Sequence, residues 1–176
     1  MVMDKLGGSL EELFRKCNRR FSLKTTLMLA DQMIQRIEYI HSRLYLHRDI
    51  KPENILIDSI EDNCIKLTDF GFASYFKEKE KLKEVMGSPL YMAPELVSNQ
   101  EYDSKVDVWS SGVVAFTMLC GKPPFFGKNK EEVYSCIKFQ KLEEAYPREI
   151  EKVISNKAKI SFQKCCVRTQ RRDFQQ

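Results

Sequence analysis

Apolar and polar residues recur along this chain mostly with the period of helices. In "SLEELFRKC" a serine at position 9 precedes two acids, which predicts a short helix: the hydroxyl accepts from a free first-turn amide and the acids face the positive end. Ser22 opens a longer helix, where Leu27, Ala30, Met33, Ile34, Ile37 and Ile40 fall at helical spacing and predict one core-facing stripe. The period then breaks. "NILID" and "CIKLTDF" are short β-branched runs around the turn-like "SIEDN", which predicts a two-stranded hairpin. "EKEKLKE" reads as a solvated charge run. "DSKVDVWSSGVVAFTMLCG" has an acid at its start, an apolar body and Gly121 at its end, so it predicts the central buried helix. "NKEEVYSCIKF" and "IEKVISNKAKISFQKCCV" predict two further helices. The expected fold is mainly α with a small β-hairpin, and without repeats or linkers the whole of 1–176 reads as one domain.

Composition narrows the function classes. A chain of 176 residues, 43% hydrophobic and 31% charged, is long enough to bury a sizeable core. Its net charge of +4 is spread over mixed-sign runs, which predicts neither a nucleic-acid nor a membrane partner. "MVMDKLGG" carries an acid and two glycines where a secretory signal has a basic and then apolar start, and the longest apolar run, Gly112 to Cys120, is too short to span a bilayer. Six cysteines without C-x-x-C spacing predict reduced, mostly buried thiols and an intracellular setting, cytoplasm or nucleus.

One stretch resists a purely structural account. "YLHRDIKPENILI", from Tyr45 to Ile57, packs dense charge between two apolar ends, at the junction of the long helix and the hairpin. Downstream follow Asp69-Phe70-Gly71 and Ala93-Pro94-Glu95. With His47-Arg48-Asp49 and Asn54 they form the ordered set "HRD…N", "DFG", "APE", and in this order the chain resembles the protein kinase family, as the helical C-terminal lobe of a kinase without its N-terminal lobe. "KLGGSLEELF" and the long helix look like casein kinase I up to about Ile57. "GSPLYMAPEL", "YDSKVDVWSSGVV" and "LCGKPPFFGKN" look like calcium/calmodulin-dependent kinases from about Lys66.

The resemblance implies a serine/threonine protein kinase that uses ATP and Mg2+, with Asp49 accepting the substrate hydroxyl proton and Lys51 neutralising charge on the transferred phosphoryl group. Lys51 also points to serine or threonine acceptors on a protein substrate. Asn54 and Asp69 are the implied magnesium ligands. The nucleotide would lie against Met3, Asp4, Leu6, Lys51, Glu53, Asn54, Leu56 and Asp69. Phe70, Gly71, Glu84, Ser88 and Glu95 fall in the implied activation segment; His47 and Phe70 read as packed residues, and Ser88 suits contact with Asp49 and Lys51. Two readings stay open for several residues. Asp107 is either a first-turn acid or the group that holds the catalytic-loop backbone; His41 reads as a group that simply favours its helix end. Glu84 either pairs with Arg48 in place of a phosphate or belongs to the solvated run; Glu95 pairs with Arg171 or with Arg172.

The sequence also departs from the family. Its 176 residues contain no G-x-G-x-x-G-x-V loop, and no strand lysine precedes the long helix. The expectation is that this chain alone is inactive, and that a protein supplying the missing lobe or regulating it is a partner. The rival expectations are a non-catalytic kinase-like module that binds protein partners or substrates, and a purely structural helical domain.

Overall fold

The computed structural model describes residues 6–58, 64–77 and 81–166, apart from the side chains of Val153 and Ser161. Both predicted serine caps form. Ser9 Oγ accepts from Glu12 N at 3.2 Å to open α1 (Leu10–Lys16), and Ser22 Oγ accepts from Thr25 N at 3.1 Å to open α2 (Leu23–His41). The buried side of α2 is Thr26, Leu29, Met33 and Ile37, so only Met33 and Ile37 of the predicted stripe are fully covered. Leu27 and Ile34 are 49% and 40% exposed, because they stand at the mouth of a groove whose floor includes Ala30, Ala115 and Phe162. The apolar stripe is wider than the face that α2 presses onto its neighbours.

The hairpin pairs β2 (Ile55–Ile57) with β3 (Ile65–Leu67), antiparallel, with Leu56 opposite Lys66. Ile55 and Ile65 are fully buried while Lys66 faces water, as the period of two requires. The turn at 59–63 lies outside the described residues. A second antiparallel pair, β1 (Tyr45–Leu46) with β4 (Ser74–Tyr75), has no counterpart in the sequence reading, since two-residue strands carry no detectable period.

The central helix is α4 (Lys105–Cys120), buried along almost its whole length and closed by Gly121 in the left-handed region at φ 84°. Its N-terminal acid acts one residue earlier than a cap: Asp103 Oδ1 accepts from Lys105 N at 3.0 Å. α2 packs on one side of α4. The last helix packs close by, where a Cβ on Gly112 would lie 2.7 Å from that of Cys165. A short α3 (Pro94–Val97) packs against α5 (Lys130–Phe139), which Asn129 caps through Glu132 N at 2.8 Å. The stretch expected to be one final helix is two, α6 (Arg148–Val153) and α7 (Asn156–Cys165). Ile154 is extended and Ser155 accepts from Ala158 N, so the serine starts a new helix where the apolar period ran through unbroken.

The mainly α fold with small antiparallel sheets is therefore as expected, and no helix among the described residues is long and apolar enough to cross a membrane. The cysteines correct one expectation: all six are free, but Cys17 is exposed and the others are half-buried rather than buried. Burial still pushes the Cys120 and Cys166 thiols up to about 12, which keeps both protonated and unreactive at neutral pH.

Candidate active site

The charged loop between β1 and β2 is built from its floor upward. Asp107, in the first turn of α4, is fully buried. Its Oδ1 accepts from Arg48 N at 2.8 Å, its Oδ2 accepts from His47 N at 2.9 Å, and His41 Nε2 at the end of α2 lies 2.8 Å from Oδ2. A buried carboxylate is tolerated when its lone pairs are met this fully. The contacts hold Arg48 at φ 67°, a left-handed conformation that costs an ordinary residue about 1–2 kcal/mol. This carboxylate grips the loop through its backbone, where side chains would be free to vary.

Above the floor sits Asp49, 3% exposed. Its Oδ2 accepts from Lys51 Nζ at 2.7 Å and Asn54 Nδ2 at 3.1 Å, and its Oδ1 accepts from Ser88 N at 3.0 Å. Burial alone would raise its pKa, but the hydrogen bonds from Lys51 and Ser88 and the lysine charge outweigh it, so the carboxyl lies below its usual value. Asp49 is ionised at neutral pH. Lys51 Nζ also donates to Ser88 Oγ at 3.0 Å, so Asp49, Lys51 and Ser88 form one closed contact.

Asn54 is 6% exposed, and its Nδ2 donates to Asp49 O at 2.9 Å as well as to the carboxylate, which commits the nitrogen side of the amide to Asp49. Thr68 N donates to Asn54 O at 2.9 Å, fastening the residue before β2 to the residue before Asp69. Asp69 is exposed and left-handed at φ 59°; its Oδ1 accepts from Gly71 N at 3.3 Å and opens a 3₁₀ turn, Phe70–Phe72. An amide oxygen and a carboxylate are hard-oxygen donors, and magnesium takes few protein ligands, so this pair fits that ion. Among the described residues no cluster of three or more His, Cys, Asp or Glu side chains offers a fuller metal site.

The remaining predicted residues fall as follows. Gly7 N donates to Ile57 O at 2.8 Å and Ile57 N to Gly8 O at 3.2 Å, which lays the segment after Leu6 along β2, with Leu6 and Leu56 both half-buried. Glu53 is exposed on the 3₁₀ turn Pro52–Asn54. Met3 and Asp4 lie outside the described residues, as do Arg171 and Arg172, the partners expected for the buried Glu95. His47 is fully buried, with Nε2 2.9 Å from Thr68 O. Phe70, expected to pack and to bridge toward the missing lobe, is 46% exposed, with its ring tilted at 4.8 Å from that of His47. In its described part the charge run is solvated as expected, and it also forms ion pairs: Lys81 with Asp103, Lys83 with Glu101 and Glu84 with Arg48. His41 and Tyr102 were missed as parts of the site; a histidine closing the helix just before the loop was the available signal for the first.

A buried, ionised aspartate flanked by a lysine and an asparagine, beside an acid at the end of a hairpin, is an arrangement suited to positioning and charge stabilisation. Comparison with known proteins agrees: the family model "Protein kinase domain" matches residues 1–173. The chain belongs to the protein kinase family. Calcium-dependent protein kinase 5 of Plasmodium berghei (strain Anka) is 44% identical over 141 residues, 78% of this chain and 25% of that protein. Human serine/threonine-protein kinase ULK3 is 36% identical over 76% of this chain and 28% of its own length. The human cAMP-dependent protein kinase catalytic subunit PRKX is 42% identical over 86% of this chain and 40% of its own length. These are serine/threonine kinases of several groups, and the chain spans only about a quarter to two fifths of their length.

Proposed function

We propose that this chain is the hinge and C-terminal lobe of a serine/threonine protein kinase, which phosphorylates a protein hydroxyl when the phosphate-covering half of the cleft is supplied. The observation that carries this reading is Asp49, ionised and held between Lys51, Asn54 and Ser88. Its carboxylate is poised to orient a serine or threonine hydroxyl and take its proton, and Lys51 beside it offsets negative charge on the oxygens being transferred. Asn54 and Asp69 would hold magnesium, and Leu6 and Leu56 would flank the base of ATP; bound Mg-ATP supplies the phosphoryl group. Ser88 N and Oγ fix Asp49 and Lys51 in one geometry, so order in the segment around Ser88 is a condition of activity.

The 176 residues as they stand lack a glycine-rich loop and its partner lysine, so the isolated chain is expected to transfer no measurable phosphate. Radiolabelled phosphate transfer tests both statements, using the chain alone and fused behind a kinase N-terminal lobe, each with Asp49→Ala. Transfer by the fusion that Asp49→Ala lowers at least about a hundredfold supports the reading. Robust transfer by the isolated chain, lost in Asp49→Ala, refutes the claim of inactivity. A folded, ATP-binding but inactive fusion refutes the enzyme and favours a kinase-like module that binds protein partners.

A further inference from the structure

Between Phe70 and Glu95 this chain has no threonine, and Ser88 Oγ is already engaged by Lys51. Kinase activation loops are commonly ordered by a phosphate that pairs with an arginine. Here the segment is ordered by contacts of another kind. Residues 81–84 run antiparallel to 101–103: Leu82 N donates to Tyr102 O and Tyr102 N to Leu82 O, both at 3.0 Å. The pairs Lys81–Asp103 and Lys83–Glu101 flank this bridge.

The centre of the clasp is Arg48. Its side chain is 4% exposed, and a guanidinium buried so far needs an anion. Nε donates to Phe72 O at 2.6 Å; Nη1 donates to Glu84 Oε2 at 3.1 Å and to the Tyr102 hydroxyl at 3.0 Å. That hydroxyl in turn donates to Glu84 O at 2.7 Å. One buried cation beside Asp49 thus ties both ends of the segment to the catalytic loop. Three residues after Glu84, Gly87 (φ 116°) lies against Arg48 O and delivers Ser88 to Asp49.

We propose that Glu84 does for this segment what a phosphate does in phosphorylation-switched kinases, closing a latch with Arg48 and Tyr102 that orders residues 81–88 without an activating kinase. Glu84 and Arg48 are positioning residues: they act on Asp49 through Gly87 and Ser88. Glu84 is 67% exposed and brings one negative charge where a phosphate brings nearly two, so the latch is weak and sensitive to salt.

The inference takes from the kinase reading only the comparison with a phosphate, and its test reads backbone order, so a folded but inactive lobe-completed fusion together with a salt-sensitive latch would sink that reading and leave this one standing. The test is hydrogen exchange by mass spectrometry on the 176-residue chain, made without a co-expressed kinase and treated with phosphatase. The expected result is protection of 81–88 that Glu84→Gln lowers about three- to fivefold, with α4 unchanged. Glu84→Asp should retain part of that protection. Salt at 1 M should lower it more in the wild type than in Glu84→Gln, where only the Lys81 and Lys83 pairs remain to be screened, and Tyr102→Phe with Glu84→Gln should lose less than the sum of the single changes. Wild-type exchange in Glu84→Gln, additive losses, or release of 81–88 by phosphatase treatment of the wild type would each overturn the proposal. Glu84 is exposed, so its substitution leaves the fold intact and decides the matter even where Tyr102→Phe loosens α4.

Discussion

The catalytic loop at 47–54 and the activation segment at 81–88 meet at Asp49, yet they are held by opposite means. The loop is fixed from beneath by one fully buried carboxylate, Asp107, which accepts from two of its backbone amides. The segment is fixed at its edge by ion pairs whose acids, Glu84 and Glu101, are more than half exposed. The first kind of hold is indifferent to salt and costly to break; the second is cheap to break and easy to tune. The proposed function would gain from that division, because the proposed proton acceptor stays in place while the segment beside it can be gated.

The comparison breaks most visibly at Asp107. Asp107→Ala leaves two buried amides and His41 without their acceptor, and a loss of about 3 kcal/mol or more is expected in urea unfolding. A loss under about 1 kcal/mol would mean that the floor is not held there. Next comes the joint between the two regions. Gly87→Ala places a Cβ 2.6 Å from Arg48 O on a backbone at φ 116°, so it should cost about 1–3 kcal/mol and free 81–88 to protease while α4 stays protected.

The smallest effect is with pH, and it touches both regions. Asp49 and Asp103 have pKa values lowered in the folded chain, so each contributes stability that is complete above the unfolded carboxyl value of 3.8 and is lost as pH falls through the lower folded value. Urea midpoints should therefore show no contribution from these two groups between pH 7 and pH 5, and a decline from their protonation only below about pH 4. A Lys51→Met variant should lose part of the Asp49 contribution, and with it part of that acid decline.

Legibility in the sequence followed the range of the forces involved. The helix caps at Ser9 and Ser22, the hairpin and the end of α4 at Gly121 are set by neighbours a few residues apart, and all were readable. The motif residues His47 to Asn54 were found because they lie in one short stretch of an ordered motif set. Depth of burial was harder: Leu27 and Ile34 have the right period, but which part of a wide apolar stripe is covered depends on how α7 sits over α4. Ser155 hid a helix break because its capping role competes with a continuous apolar pattern. The latch was half visible. Glu84 stood out by its place, but Tyr102, which closes it, is 18 residues away and nothing in the sequence ties it to Glu84.

The most direct test is phosphate transfer in the lobe-completed fusion, comparing Asp49→Ala with Glu84→Gln. In the proposed roles Asp49 stands at the reacting hydroxyl and Glu84 only helps to hold the segment, so the account predicts a fall of at least about a hundredfold for the first and less than about tenfold for the second. Equal losses, or substantial transfer surviving in Asp49→Ala, would contradict it.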